Sequence, residues 1–210
     1  MRLTVVGATG GVGREIVRQA LDAGHRVTAV VRDPARLPVT GERLEVFRAE
    51  LSDAGRLRPA VAGRDAVLSG LGARTWKEAG VTSRLTRTVL AAMAAEEVRR
   101  LVVVSASPLG PAADADGLVD RALRALLWKG LGDVYGDLRR MESDLAAGTA
   151  DWTVVRPPRL LDEPGTGRYR KVVGGNPAKG RSLARADVAH AMLASVADPA
   201  TVRQAVGIAC

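Results

Sequence analysis

The sequence predicts an α/β fold in which helices cover both faces of a doubly wound, mostly parallel β-sheet. Short apolar runs rich in β-branched residues alternate along the chain with longer stretches of helical periodicity. The first of these runs leads through a glycine-rich turn directly into an amphipathic stretch. Of the 210 residues, 47% are hydrophobic and 26% are charged, as is usual for a folded domain. We therefore predict a single domain over residues 1–210.

The strands are predicted from apolar runs that would be buried on both faces of a parallel sheet. Runs of this kind occupy residues 3–6, 27–31, 44–47, 66–68, 101–104 and 152–155. A shorter run at residues 205–208 predicts one further strand. Because helical stretches separate most of these runs, right-handed crossovers would bring the carboxyl ends of the strands to one edge of the sheet.

The helices are predicted from apolar residues that recur every three or four positions. Ile16 and Ala20 mark the first helix, which Gly24 would end as a C-cap. The further helices are predicted at residues 82–97, around residues 141–145 and at residues 186–197.

The last third of the chain is predicted to lie on the ligand side of the sheet. Residues 165–180 are rich in turn-forming residues. The chain after Pro157 is expected to fold over the carboxyl edge, where such folds bind their ligands. This would form a small C-terminal substrate-side lobe, with the substrate-side elements mainly in residues 107–135 and 157–182.

Composition argues against several classes of protein. The single cysteine, Cys210, excludes a disulfide framework, and neither His25 nor His190 has a second ligand nearby, so we predict no metal. The net charge is +8, but the arginines are scattered, and a 3% aromatic content is too low for a base-stacking surface. No apolar stretch approaches the length of a membrane span. We predict a cytoplasmic monomer or homodimer that binds a small-molecule substrate and neither nucleic acid nor membrane.

The glycine-rich turn is the strongest functional motif. Residues 7–13, Gly-Ala-Thr-Gly-Gly-Val-Gly, join the first predicted strand to the first helix, as the dinucleotide fingerprint of Rossmann-like folds does. There Gly7 would permit the tight bend, Gly10 would let backbone amides approach a pyrophosphate, and Gly13 would let the helix pack closely. The spacing GxxGxxG matches the generic GxGxxG only loosely, and the alternative is a purely structural turn. We predict dinucleotide binding.

The end of the second strand predicts which dinucleotide is bound. An acidic residue there would bind the ribose 2′-hydroxyl of NAD, whereas an arginine accommodates the 2′-phosphate of NADP. Arg32 ends this strand, Asp33 follows it, and Arg36 comes one turn later. Because a guanidinium is a natural partner for a phosphate dianion, we predict NADP (NADPH) with Arg32 at the 2′-phosphate. The alternative is a solvated Arg32, with Asp33 at the ribose.

Taken together, several segments resemble the atypical short-chain dehydrogenase/reductase superfamily. They are GATGGVG, VVRDPARL, LVVVSAS and DWTVVRPPRL. Within it, the sequence is most similar to the flavin reductase/biliverdin-IX-beta reductase group, through Leu71-Gly72-Ala73-Arg74, Arg140-Met141, Pro157-Pro158 and Thr166-Gly167-Arg168-Tyr169. The resemblance runs from Leu3 to about Val196 and implies a Rossmann-like fold that binds NAD(P).

The resemblance implies a role for individual residues. The cofactor-binding residues would be Gly7, Thr9, Gly10, Val12, Gly13, Arg32, Glu50, Leu51, Gly72, Arg74, Ser105, Pro157 and Pro158. Of these, residues 9–13 would contact the pyrophosphate, and Glu50, which replaces the more usual Asp, would lie with Leu51 beside the adenine. The two prolines would border the nicotinamide through main-chain atoms. Ser107 matches the serine above the nicotinamide that in related enzymes bonds a substrate oxygen.

A proton donor is less clearly predicted. A dehydrogenase of the broader superfamily carries a Tyr-x-x-x-Lys pair, in which the lysine lowers the pKa of the tyrosine so that the phenol can exchange a proton. The nearest match is Tyr135 with Arg139, whose guanidinium does not shuttle protons. Counting back from Glu142 makes Val134 and Leu138 the equivalent positions instead. Tyr135 is thus a candidate catalytic residue beside Ser107, and the alternative is a half-buried tyrosine at a helix start.

These observations predict an NADPH-dependent oxidoreductase that transfers hydride to a planar or conjugated acceptor of flavin, quinone or tetrapyrrole type. Trp76, Trp128 and Tyr135 are the aromatic residues available near the site to stack on such an acceptor. One alternative is a non-catalytic NADP-sensing regulatory protein, since the Tyr–Lys pair is missing. The other is a carbonyl reductase or epimerase that uses Ser107 with Tyr135.

Overall fold

The computed structural model describes the backbone of residues 1–72, 80–110 and 118–210, and the side chains of the same residues except 118–128. The strands in this part of the chain are β1 (Arg2–Val6), β2 (Arg26–Val31), β3 (Leu44–Arg48), β4 (Ala66–Ser69), β5 (Arg100–Val104), β6 (Asp151–Arg156), β7 (Arg159–Leu161), β8 (Arg170–Val173), β9 (Ser182–Ala184) and β10 (Gln204–Ala209). The helices are α1 (Gly11–Asp22), α2 (Ala54–Val61), α3 (Val81–Ala95), α4 (Leu118–Ala147) and α5 (Arg185–Val196).

Eight of these strands form one sheet in the order β3-β2-β1-β4-β5-β6-β10-β8. All neighbours are parallel except β8, which runs antiparallel to β10. Leu3 of β1 lies between Val27 of β2 and Ala66 of β4. The strand order therefore reverses between β1 and β4, and the crevice at such a reversal is where open α/β sheets bind ligands. The predicted doubly wound parallel sheet is confirmed.

The helices divide between the two faces of the sheet. Ile16 of α1 and Met192 of α5 are fully buried in one apolar cluster. Leu57 of α2, Met93 of α3 and Leu145 of α4 are buried in a second cluster on the opposite face. No helix in the described ranges combines the length and the hydropathy needed to cross a membrane.

Four short elements lie where the sequence predicts none. Helix α2 has only eight residues with Pro59 among them, and it begins where the Asp53 carboxylate accepts a hydrogen bond from the Arg56 amide at 3.2 Å. Strand β8 lies within residues 165–180, which the sequence predicts as turns. Its sequence, Arg-Lys-Val-Val, lacks the longer apolar run that would predict a strand, and it is exposed along its length. Strands β7 and β9 pair in parallel as a small second sheet. Since β7 begins three residues after β6 ends, this sheet adjoins the carboxyl edge of the main sheet.

A partly buried arginine joins three elements at the amino end of β5. The Arg100 guanidinium donates to the carbonyls of Ser195 and of Val196, the latter at 3.0 Å, at the end of α5. It also donates to Thr153 Oγ1 at 2.8 Å and to the carbonyl of Asp151 at 2.7 Å, both in β6. Burial lowers the pKa of Arg100, while nearby carboxylates act in the opposite direction. These bonds pair the last carbonyls of α5 and hold that helix against the sheet.

We expect Arg100→Met to lower the free energy of unfolding by about 3 kcal/mol, because it removes charged hydrogen bonds and leaves their acceptors unpaired. Equilibrium unfolding in urea, followed by circular dichroism, measures the loss. Arg99→Met is the matched control, since Arg99 is 65% exposed and pairs with Asp151 at the surface. Its replacement should change stability much less. Equal losses in the two variants would show that Arg100 does not anchor α5.

Candidate functional site

The glycine-rich turn lies at the point where the strand order reverses. Gly7 directly follows β1 and has a φ of 71°, a left-handed conformation that favours glycine. The Gly10 amide donates to the Gly7 carbonyl at 2.9 Å, and α1 begins at Gly11. Gly7 therefore makes the tight bend that turns the chain from strand into helix.

Three glycines bring α1 into backbone contact with the ends of β1 and β4. A Cβ at Gly13 would lie 2.1 Å from the Gly7 carbonyl oxygen, and one at Gly70 would lie 2.8 Å from the Gly13 nitrogen. A Cβ at Gly7 would lie 2.8 Å from the Gly70 carbonyl carbon. No side chain fits at these positions without a shift of the backbone. Gly70 is absent from the sequence predictions, although a glycine directly after a buried strand is a signal of close backbone approach.

The amino end of α1 is suited to an anion. Gly10 is the N-cap, no side chain caps the helix, and its first turn contains no acidic residue. The first amide groups of a helix have no acceptor within it, and the helix dipole adds positive charge there. In the described part of the chain, a Cβ at Gly10 would have only the carbonyl oxygens of Gly7 and Gly70 within 4 Å. The absence of a side chain at Gly10 thus keeps the approach to these amides open.

The other residues predicted at the pyrophosphate belong to the same turn. Thr9 is half-buried, and the Val12 side chain is buried in the apolar cluster beneath α1. Val12 can therefore meet a ligand only through its backbone.

The ends of β2 and β3 bring together the residues predicted at the adenosine. Arg32 follows β2 and is exposed, and the neighbouring Asp33 carboxylate accepts a hydrogen bond from the Ala35 amide at 3.1 Å. Glu50 is exposed beyond the end of β3, while Leu51 packs against the apolar cluster under α2. One oxygen of Asp33 is thus committed to the local turn, whereas the Arg32 guanidinium is open to a ligand.

The ends of β5 and β6 bring together the residues predicted at the nicotinamide. The Ser105 amide donates to the Val155 carbonyl, and the Ser107 amide donates to the Pro157 carbonyl, each at 2.8 Å. Pro157 is buried and Pro158 is half-buried. Two serines and two prolines therefore stand side by side at the carboxyl edge.

The remaining predictions for this end of the site are only partly located. Gly72 is exposed two residues beyond Gly70, and a Cβ there would have no described atom within 4 Å. Arg74 and Trp76 lie outside the described residues, as does the side chain of Trp128.

A partly buried charge cluster that the sequence does not predict lies beside these serines. Glu142 of α4 accepts hydrogen bonds from Arg156 Nε at 3.1 Å and Nη2 at 2.5 Å, and from the Ser105 hydroxyl at 2.7 Å. Because the Ser105 proton points at Glu142, this hydroxyl can only accept a hydrogen bond from a ligand. A charged residue at the end of an apolar strand, Arg156, is the one signal in the sequence that could mark the cluster.

Tyr135 lies inside the protein rather than at its surface. Helix α4 has non-helical dihedral angles at Leu131 (φ −125°, ψ 22°), and Tyr135 follows in the first turn after this kink. It is 7% exposed and belongs to the apolar cluster that also contains Leu138. Burial raises the pKa of Tyr135. The phenol is thus held in its protonated form, the reverse of the effect that a neighbouring lysine would have.

Asp137, two residues later, supports the start of α3. Its carboxylate is 1% exposed and accepts hydrogen bonds from the amides of Thr82 at 2.9 Å and Ser83 at 3.3 Å. A residue of α4 therefore caps α3 from a distance, which the sequence pattern does not reveal.

The segment around Thr166 and Gly167 is tied to α5 by a buried carboxylate. Asp187 is 2% exposed and accepts hydrogen bonds from the amides of Thr166 at 2.9 Å and Gly167 at 2.8 Å. The Tyr169 hydroxyl and His190 Nδ1 are hydrogen bonded at 2.8 Å. Within the described ranges, no three His, Cys, Asp or Glu side chains are grouped so that they could hold a metal ion.

The start of α5 and the residue that follows β7 also lie beside the glycine-rich turn. The Arg185 side chain lies so close to Gly11 that a Cβ there would be 2.5 Å from Arg185 Cδ. Its guanidinium pairs with Asp162 at 2.6 Å. A cavity of about 480 Å³ adjoins this contact and is lined by both segments.

Comparison with known proteins shows which protein family this chain matches. Residues 7–199 match the model of the NAD(P)H-binding family. A dihydroflavonol 4-reductase of Hordeum vulgare is 41% identical over 70 residues, which cover 29% of this chain and 20% of that protein. A (4-alkanoyl-5-oxo-2,5-dihydrofuran-3-yl)methyl phosphate reductase of Streptomyces griseus is 32% identical over 159 residues, which cover 76% of this chain and 48% of that protein. The chain thus spans less than half the length of these curated relatives.

Solved structures share the fold over the whole chain. A short-chain dehydrogenase/reductase of Veillonella parvula in complex with NADP matches with a TM-score of 0.82 at 21% identity, covering 100% of this chain and 94% of that one. A proposed NADH-flavin reductase of Streptococcus pneumoniae matches with a TM-score of 0.79 at 21% identity, covering 100% and 99%. At such identities the likeness shows the fold.

Two glycine variants should separate ligand binding from packing. Gly10→Val should abolish NADPH binding while most of the fold remains, because its side chain would block the approach to the α1 amides. Gly13→Ala should instead lower the free energy of unfolding by about 3 kcal/mol, since its Cβ meets backbone. Fluorescence titration with NADPH and urea unfolding measure the two effects. Unchanged NADPH affinity in Gly10→Val would make the turn purely structural.

Proposed function

The chain belongs to the NAD(P)H-binding family, and from this membership we propose that it is an NADPH-dependent oxidoreductase. The observation that carries the proposal is the glycine-rich turn. It leads into the amino end of α1, where the first amides have no side-chain cap and the helix dipole is positive. The amino end of α1 would hold the pyrophosphate, residues at the ends of β2 and β3 would hold the adenosine, and residues at the ends of β5 and β6 would hold the nicotinamide. When bound, the reduced nicotinamide supplies a hydride.

The preference for NADPH over NADH rests on Arg32. This guanidinium is exposed at the end of β2, Arg36 follows in the next turn, and one oxygen of Asp33 is taken by the Ala35 amide. A phosphate dianion on the ribose therefore meets cations, whereas a ribose hydroxyl would meet a carboxylate that is already engaged. The related fold from Veillonella parvula, which was solved with NADP, supports the same choice.

We infer that the acceptor is a planar or conjugated small molecule of flavin, quinone or tetrapyrrole type. Tyr135 is buried with a raised pKa, and Leu138 is also buried, so the described part of α4 offers no tyrosine–lysine pair. A conjugated acceptor spreads the charge that the hydride brings, so it can take its proton from solvent after the hydride has been transferred. Such a reaction needs chiefly a fixed distance between donor and acceptor and the exclusion of competing water.

We propose that Ser107 orients the acceptor. Its amide is held by the Pro157 carbonyl, and its own carbonyl accepts a hydrogen bond from Asn176 Nδ2 at 2.9 Å. With its backbone fixed on both sides, the Ser107 hydroxyl can donate to an acceptor oxygen at a constant position.

We expect Arg32→Glu to weaken NADPH binding at least about tenfold, because a charge-assisted phosphate contact is worth about 1.5–3 kcal/mol. NADH binding should change much less. The matched control is Arg26→Glu, which makes the same charge change at the exposed opposite end of β2 and should leave both affinities unchanged. Fluorescence titration with each cofactor measures the affinities. Equal losses of affinity for NADPH and NADH in Arg32→Glu would contradict the assignment of Arg32 to the 2′-phosphate.

Tyr135→Phe and Ser107→Ala test how the acceptor is reduced. If positioning drives the reaction, Tyr135→Phe should reduce kcat/KM by less than about tenfold, whereas loss of a general acid costs about 10²–10⁴-fold. Ser107→Ala should have an effect between these extremes, since a neutral hydrogen bond is worth about 0.5–1.5 kcal/mol. Steady-state NADPH oxidation with flavin or quinone measures both. A thousandfold loss in a folded Tyr135→Phe would favour a carbonyl reductase, and tight NADPH binding without turnover in the wild type would favour a sensor.

A further inference from the structure

The ion pair between Glu142 and Arg156 is largely, though not completely, shielded from solvent. The two side chains are 14% and 13% exposed. Both carboxylate oxygens of Glu142 accept from Arg156, and one of them also accepts from the Ser105 hydroxyl. The cluster therefore joins α4, the end of β6 and the residue that follows β5.

The segment from Ser105 to Gly110 is attached to its surroundings at several points. The amides of Ser105 and Ser107 donate to β6 and to Pro157, and Asn176 donates to the Ser107 carbonyl. A Cβ at Gly110 would lie 2.7 Å from Asn176 Nδ2 and 3.0 Å from Arg156 Nη1. Arg156 thus forms the ion pair at the start of this segment and also lies beside Gly110, its last residue.

A largely buried ion pair needs a reason other than stability. Removing two charges from water is costly, and an apolar pair of similar volume often stabilises a protein as well or better. An apolar pair, however, lacks directional hydrogen bonds. The guanidinium and carboxylate fix each other in one plane, and the carboxylate fixes the rotamer of Ser105.

We propose that Glu142 and Arg156 are positioning residues that hold the segment Ser105–Gly110 on the end of β6. The ion pair keeps Ser107 at a constant distance from Pro157, and so presents its hydroxyl to the acceptor. The proposal rests on the proposed function for the role of Ser107. The placement of the segment itself does not depend on that function.

The test replaces the ion pair by an apolar pair, Glu142→Leu with Arg156→Met, in the full-length protein. The matched control is Arg87→Met with Asp144→Leu, which removes an exposed ion pair between α3 and the same helix α4. Hydrogen exchange of the Ser105 and Ser107 amides, the thermal midpoint, the Kd for NADPH, and kcat and KM with a flavin acceptor are measured for both.

We expect the apolar double variant to keep a thermal midpoint close to that of the wild type and an NADPH affinity within about twofold. Its Ser105 and Ser107 amides should exchange at least about tenfold faster, while amides of β1 do not change. Turnover should fall at least about tenfold, mainly through kcat. The control variant should change none of these values. Unchanged exchange of the two amides, or faster exchange with wild-type turnover, would overturn the proposal.

Glu142→Gln keeps the test decisive if the double variant does not fold. It preserves the side-chain volume and an acceptor for Ser105 but removes the charge, so the two serine amides should again exchange faster relative to those of β1. Equal acceleration of exchange at the serine amides and at the β1 amides would show that the ion pair has a purely structural role, and would overturn the proposal. If the wild type binds no NADPH, the proposed function fails, and the exchange data still decide whether the ion pair fixes the segment.

Discussion

Direct contact between the backbones of Gly7, Gly13 and Gly70 is the constraint on which the site depends. Because no side chain separates these residues, α1 rests on the ends of β1 and β4 and has one permitted position. That position aims its amino end into the crevice where the strand order reverses. The proposed anion site would therefore be formed by backbone amides, with the proposed selectivity supplied by side chains such as Arg32.

The parts of the fold that could be predicted have a strong local signal. Strands such as β1 and β5 are apolar on both faces, and α1 shows helical periodicity over its whole length. The elements that were missed have weak local signals. Helix α2 is short and contains Pro59, and β8 owes its conformation to pairing with β10, more than thirty residues later in the chain. A contact of that kind is invisible in a local pattern.

The candidate site divides in the same way. The positions of Arg32, Ser105 and Pro157 could be predicted because a parallel sheet brings the carboxyl ends of all its strands to one edge. The pairing of Glu142 with Arg156 could not, since it joins a helix to a strand through side chains alone. Tyr135 follows a change of direction at Leu131, which Gly130 and Gly132 flank, but its burial cannot be read from the sequence. Sequence patterns thus placed the candidate residues at the carboxyl edge of the sheet, whereas the polar contacts around them required coordinates.

The contact between Arg185 and Gly11 links two distant parts of the chain in a further way. The Arg185 side chain fills the volume that any larger residue at position 11 would need, and Asp162 holds it there. A side chain can enter position 11 only if residue 185 becomes shorter or gives up its ion pair. We therefore expect substitutions at the two positions to be coupled, so that the residues tolerated at position 11 of the glycine-rich turn depend on the residue at the start of α5.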